Sequence, residues 1–573
     1  MHSFLVSRIR GVKVIKGFHE LWDAVYPGET VFRDKTTELI GKTVGAAPKT
    51  GGNWLSRAVI YSLYVDHFNG TIAGLTEKLP YLEDLGVNCL HLLPVLDSPM
   101  LDAGFDIRSY RHIRPELSLS NDPDAEFDNL LTEARSRDIR IIFDIALNHC
   151  SSEHPWFLDA RASRDSQYRD FFIWSDTPEK YSDARIIFKG LCASNWQYDE
   201  GTGQYYFHRF FPIQPDLNYR NPRVLFEMIS ILLSWLDRGI DGFRADAIPY
   251  LWKEEGTSCE NLSETHALLK IFRYALEAVK PGTLFLAEAN QRPGDVVEYL
   301  RTEDECNAAY HFPLMPQVFK ALATGDGSPV RDVLSPAVTP DIPDSASWVT
   351  FLRCHDELTL EMVTPQDRKL IFNHYARRHE WDFRQGEGIA GRLFTLLEGD
   401  TDLVLLAFTI MFTLPGTPVI YYGDEVAEPN NTGYWGRQRE RTGYNDSRYL
   451  NRGPLAWDKI ESGLRNPESP VSTIWRGLTT LIGVRREEPS FIAGSLEFSG
   501  TRMPGILAYD RTAGDSRCLV RCNLGRSPVS LDHELYPAER SRVLFARGLS
   551  PEDGRVFLRP RGVVVAAVGG GTQ

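Results

Sequence analysis

Asp246, Glu288 and Asp356 are three carboxylates that each stand where an apolar, strand-like run stops. Asp246 closes GFRAD, Glu288 follows TLFLA, and Asp356 follows His355 at the end of WVTFLRCHD. Carboxylates so placed suit glycosidic chemistry: one attacks the anomeric carbon, one protonates the leaving oxygen and one grips the sugar. In GFRADA the strand period of two puts Arg244 and Asp246 on one face, so a guanidinium lies beside a carboxylate, keeps it ionised and holds its orientation. Glu288 follows an apolar run, so desolvation is expected to raise its pKa, as a general acid that later serves as base requires. Taken singly, these motifs have plainer readings as a structural Arg–Asp pair, a capping Glu and a hydrogen-bonded His. Their combination carries the argument.

Apolar segments of strand length recur along the chain, each followed by a helix-like stretch. They span 58–65, 87–95, 139–147, 239–247, 283–289, 307–312, 347–354 and 417–423. Eight such units predict a parallel (β/α)8 TIM barrel, an α/β fold whose active site lies at the C-terminal strand ends. The polar residues His91, Asp144, Asn148, His149, Arg244, Asp246, Glu288, His355, Asp356, Asp424 and Glu425 fall there. Residues 1–55 form an N-terminal extension of helical or mixed character, and the barrel takes up 56–149 and 214–484. The aromatic-rich stretch 150–213 is too long for a simple connection and reads as a small domain inserted after the third strand, roofing the pocket. Beyond 485, short alternating runs among Gly and Pro turns predict a C-terminal antiparallel β-sandwich domain over 485–573.

With 573 residues, 42% hydrophobic and 24% charged, the chain is long enough for a large barrel with smaller appended domains. Its N-terminus lacks a continuous apolar h-region, and no segment reaches the roughly 18 apolar residues of a membrane span. LVLLAFTIMFTL (403–414), stopped by Pro415-Gly416, reads as a buried helix feeding a strand. Eight scattered cysteines with no CxxC pair fit reduced thiols in a cytoplasmic setting, without a metal cluster. The net charge of −14 disfavours a nucleic-acid partner and is neutral toward an uncharged sugar. The basic run RQRER (437–441) reads as a solvated loop. Neighbours on a strand point to opposite faces, so Cys354 beside His355 reads as a small core residue.

DIALNH (144–149), QPDLN (214–218), GFRADA (242–247), AEAN (287–290) and FLRCHD (351–356) resemble, in order and strand context, the α-amylase family of retaining glycoside hydrolases. The resemblance covers nearly the whole chain after residue 55. It implies that Asp246 is the nucleophile, Glu288 the acid/base, and Asp356 the residue that binds sugar hydroxyls and stabilises the transition state. It also implies that His149 and His355 are hydroxyl ligands, that Arg244 is the nucleophile's partner, and that Asp144 and Asn148 support the pocket floor. DAGFDIRSY (102–110) is similar to the family's Gly-Tyr-Asp loop, with Phe105 in place of the stacking Tyr. Asp106 resembles the residue that closes the pocket behind the terminal glucose, and Arg448 is its expected salt-bridge partner.

A pocket sealed in this way takes chain ends or small α-glucosides, whereas an open cleft would accept the interior of starch. Segments 247–270, 286–300, 311–315 and 355–368 resemble trehalose synthases, which isomerise maltose and trehalose. The stretch 430–457, with its Asp-Ser-Arg arrangement, is more similar to amylosucrases and sucrose hydrolases, so both subgroups stay open. The loop 68–79 lacks an Asp/Asn-rich calcium pattern, and no metal or other cofactor is expected. No motif bears on oligomeric state. A non-catalytic amylase-like binding protein would lack the full carboxylate set and carry a membrane anchor. The expected mechanism is double displacement, with carboxyls about 5–5.5 Å apart and net retention.

Overall fold

Strands β1 (Ile60–Leu63), β2 (Cys89–Leu92), β3 (Arg140–Ala146), β4 (Gly242–Asp246), β5 (Leu284–Ala287), β6 (Ala308–Tyr310), β7 (Ser347–Phe351) and β8 (Thr417–Tyr421) close into a barrel. Each pairs in parallel with its sequence neighbours, and β8 returns to β1 with Val419 opposite Ile60. The structure, a computed structural model, describes residues 17–44, 54–120, 122–499, 505–552 and 555–569.

The strands are buried on both faces because helices cover the outside and side chains fill the inside. In β4 the alternation sends Phe243 outward, 5.6 Å from the Phe143 ring of β3, and leaves Arg244 and Asp246 facing the interior. Gly242 opens this strand because a Cβ there would meet the Leu284 carbonyl oxygen at 2.3 Å. The helix Pro222–Arg238 shows how the outer layer is encoded. Asn221 caps it by accepting from Arg223 N, Pro222 supplies the first turn, and nine buried residues, from Val224 to Leu236, recur at helical spacing. Each fully buried aliphatic side chain on that face stabilises the fold by about 1.5–3 kcal/mol. Gly239 ends the helix at φ +114, a left-handed position that disfavours any side chain.

The connection between β3 and the helix Pro222–Arg238 holds a helix, Pro155–Ala162, and a three-stranded antiparallel sheet of Trp174–Ser175, Gln204–Phe207 and Trp196–Asp199. The segment 403–414 is the buried helix Thr401–Thr413 feeding β8, as its breakers predict. The basic run 437–441 is not a loop. It lies in the exposed helix Thr432–Thr442, capped by the Asn431 side chain, whose Arg, Gln and Glu residues are good helix formers.

The N-terminal extension is helical where it is described, over 17–25 and Val31–Thr43, and Tyr26 donates to the Tyr219 carbonyl at 2.6 Å. Its first residues, 1–16, and residues 45–53 lie outside the described ones. The C-terminal strands, from Ser495–Phe498 to Arg555–Val568, are joined by pairing into one antiparallel sheet, where a two-sheet sandwich was expected. The bulged last strand Arg555–Val568 pairs with both neighbouring halves and keeps them in one sheet. The buried Arg511 docks this sheet by donating to the Thr413 carbonyl at 2.7 Å, satisfying an orphan acceptor at a helix end.

Candidate active site

Arg244 is the hub of the barrel mouth. Its register partner on β3 is Asp144, and its guanidinium contacts Asp144 Oδ1 at 2.5 Å and Asp246 Oδ1 at 3.0 Å, with Glu288 Oε1 4.0 Å away. Asp144 also meets His91 Nε2 at 3.1 Å, and His91 Nδ1 meets Ser62 Oγ at 3.0 Å. A buried polar row therefore crosses β1 to β4 and fixes the guanidinium. Burial raises the Asp144 pKa, but Arg244 and His91 more than offset it and hold that carboxylate low.

Asp246 and Glu288 are both raised, first by burial. Arg244 alone does not keep Asp246 in the ordinary carboxylate range, because burial and the carboxylates of Glu288 and Asp144 outweigh it. Arg244 is in hydrogen-bond contact with Asp246 and 4.0 Å from Glu288, so it offsets burial more directly at Asp246. Ala247 turns the chain at φ +61, so that its N–H donates to Glu288 Oε2 at 3.3 Å. A non-glycine residue there costs on the order of 1 kcal/mol.

Asp356 is held from three sides. Oδ1 accepts from Arg448 Nη1 at 2.9 Å and Arg452 Nη2 at 3.0 Å, and Oδ2 lies 3.1 Å from His355 Nε2. Burial raises its pKa, yet His355 and the two arginines overcome it and hold the carboxyl well below the usual range. The His355 ring stacks on Phe105 at 5.1 Å and 20°, and burial pushes its pKa down to about 4. His149, pushed down to about 4 in the same way, meets Gln214 Nε2 at 3.3 Å.

One cavity collects Asp246, Glu288, Asp356, Phe105, His149, Arg244, His355 and Arg448. Asp106 is not in it. Its carboxylate is used up by Ser98 Oγ at 3.0 Å and the amides of Leu101 and Asp102 at 2.9 and 3.1 Å, so it shapes the turn that presents Phe105. The expected Asp106–Arg448 salt bridge is replaced by Asp102–Arg448 at 3.4 Å, with Asp102 also accepting from Gln214 Nε2 at 3.0 Å. The loop carries aspartates on both sides of Phe105, and spacing alone does not say which one turns inward. Asp424 and Glu425 also lie outside the cavity. Glu425 accepts from Tyr61 at 2.7 Å and Tyr81 at 3.0 Å beneath the strands.

Asn148 contributes to the floor through a lysine. Its Oδ1 accepts from the buried Lys253 Nζ at 2.7 Å, and Asp216 Oδ2 lies 2.8 Å from the same ammonium, tying the end of β3 to the chain returning from the inserted segment. The far side of the cavity is lined by residues that strand-end reasoning missed: Arg185, Tyr250, Asn290, Glu357, Glu361 and Arg384. Arg185, from the inserted segment, reaches Glu361 at 2.6 Å and Glu260 at 2.8 Å, while Arg384 reaches Glu361 at 3.0 Å. Asn290 donates to the other Glu361 oxygen at 3.0 Å. Glu357, next to Asp356, is pushed up to about 7 by burial and then by Asp356. The two glutamates of HDELTLE flank an apolar run just past a strand end, the one signal that pointed to them.

A closed barrel with this carboxylate and arginine constellation at its mouth defines a sugar-processing enzyme of the retaining type. The family model "Alpha amylase, catalytic domain" matches residues 25–469, and the chain belongs to the α-amylase family. It is 41% identical over 519 residues to the trehalose synthase/amylase TreS of Mycobacterium tuberculosis (strain ATCC 25618 / H37Rv), covering 86% of this chain and 85% of that protein. It is 39% identical over 524 residues to the trehalose synthase of Pimelobacter sp. (strain R48), covering 84% and 89%. Among solved structures, the trehalulose synthase MutB from Pseudomonas mesoacidophila MX-45 superposes with a TM-score of 0.70 at 22% identity, over 91% of this chain and 100% of that one, which shows a shared fold.

Proposed function

We propose that the protein isomerises maltose and trehalose through a glucosyl-enzyme intermediate, with hydrolysis as a side reaction. Asp246 attacks the anomeric carbon while Glu288 gives its proton to the glycosidic oxygen, breaking the C–O bond and freeing glucose. Glu288, now a carboxylate, takes a proton from the incoming hydroxyl, whose oxygen displaces Asp246 with net retention. If the freed glucose presents its 4-hydroxyl, maltose re-forms; if it turns and presents its anomeric hydroxyl, the product is trehalose. Asp356, kept ionised by Arg448 and Arg452, accepts from hydroxyls of the bound ring, with His149 and His355 beside it and Phe105 as its platform.

The observation that carries the isomerase reading is the Arg185 bridge. It spans the cavity mouth from the inserted segment to Glu361 and Glu260, two loops of the barrel. With the far end closed by Asp102 and Arg448, the bridge would hold the freed glucose in place and limit the entry of water to the level of a side reaction. The roughly 40% identity to trehalose synthases along most of the chain supports the same reading. We also place the enzyme in the cytoplasm, on the ground that its eight cysteines are free thiols.

The test is to incubate the purified protein separately with maltose, trehalose and sucrose and to follow products by NMR. Trehalose from maltose and maltose from trehalose are the expected products. Glucose plus fructose from sucrose with inert maltose would replace this reading with a sucrose-using one.

A further inference from the structure

We propose that Cys354, His355 and Asp356 form a binding site for a soft or borderline divalent cation, and that a cation bound there blocks the sugar pocket. The blocking half rests on the pocket being the sugar site; the binding half does not. Cys354 packs against the core as expected, and strand alternation would turn it away from His355. It lies beyond the end of β7 at Phe351, however, and there the alternation no longer holds. Its Sγ, a ring nitrogen of His355 and a carboxylate oxygen of Asp356 all lie within 4.8 Å of one another.

Donors about 2.0–2.3 Å from a common tetrahedral cation stand about 3.3–3.8 Å apart, so small side-chain rotations complete a three-donor site. A thiolate, an imidazole and a carboxylate together select borderline or soft metals over calcium or magnesium. On binding, the Cys354 thiol releases its proton to solvent and its sulfur donates an electron pair to the cation. His355 binds through a ring-nitrogen lone pair, and its Nε2 lies 3.1 Å from Asp356 Oδ2.

Access favours the same site. Cys354 is half-buried and lines a cavity of about 20 Å3 that shares Arg244, Phe312, His355 and Asp356 with the main pocket, room for one ion. The main pocket that joins it is lined by six acidic side chains and four arginines. A cation there takes the Asp356 oxygen and His355 nitrogen that face the sugar, so metal and substrate exclude each other.

The probe is cadmium alone, added to the full chain and to Cys354→Ser, with Cys354→Asn as a second variant should the first fold poorly. The cadmium–thiolate absorption band reports binding without reference to any substrate. Titration of the parent should give one saturable site that maltose weakens by competition, with parallel loss of turnover. Both variants should keep basal turnover and need about tenfold or more cadmium for the same inhibition. An identical band and identical inhibition in parent and variants would overturn the site. A band that maltose leaves unchanged would overturn the competition and leave the isomerase reading standing.

Discussion

Arg448 pairs with Asp102 at 3.4 Å while its other terminal nitrogen holds Asp356 at 2.9 Å. One guanidinium thus closes the end of the pocket and positions the carboxylate that grips the sugar. Asp102→Asn is expected to lower kcat/KM for maltose by about 10²-fold, on the order of 2–3 kcal/mol of transition-state binding. Asp106→Asn, which alters only the turn behind Phe105, should affect thermal stability more than kcat/KM. Steady-state kinetics of the two variants side by side decide it, and a larger kcat/KM loss at Asp106 would reverse the assignment.

Arg185 is the cation of the inserted segment that lines the cavity and pairs with both Glu260 and Glu361. Removing it as Arg185→Ala opens a path for water, so the ratio of glucose to trehalose formed from maltose should rise while the first half-reaction continues. Product ratios by NMR check this. An unchanged ratio would show that water is excluded by something other than the bridge.

Glu288→Gln cannot protonate a leaving group. Its kcat on maltose should fall by about 10²–10⁴-fold. With α-glucosyl fluoride, whose fluoride leaves without a proton, the glucosyl-enzyme should still form, visible as a burst of fluoride release. Equal loss on both substrates would place the acid elsewhere.

Burial pushes Asp424 up to about 7, against Arg392 and Arg353, and its Oδ1 has no hydrogen-bond partner. A carboxyl whose folded pKa is raised contributes stability that is complete below its unfolded pKa of about 4 and is lost as the pH rises through 7. Asp424→Asn removes that loss. The melting temperature of the variant minus that of the parent should therefore grow from pH 5 to pH 8, equivalent to a few kcal/mol, roughly. A difference independent of pH would contradict the buried, protonated state.

How much of this was legible in the chain follows from what each residue depends on. The barrel, and the gathering of Asp246, Glu288 and Asp356 into one cavity, follow from strand periodicity and from the rule that parallel strands end on one side. Asp102 against Asp106 was a choice inside one turn, settled by which backbone amides happened to be free. Glu361, Arg384 and Arg185 meet across loops separated by up to 176 residues of sequence, and neither periodicity nor spacing reports such a meeting. Cys354 does pack against the core, but its closeness to His355 was hidden because alternation was extended past the point where the strand stops.

The central claim is that Asp246 bonds to the sugar between two half-reactions. A fluorinated α-glucosyl fluoride that forms the intermediate quickly and releases it slowly should add one fluoroglucosyl group to the intact protein, and peptide mapping should place it on Asp246. An active enzyme that gains no such mass, or carries it on any other residue, would contradict the account.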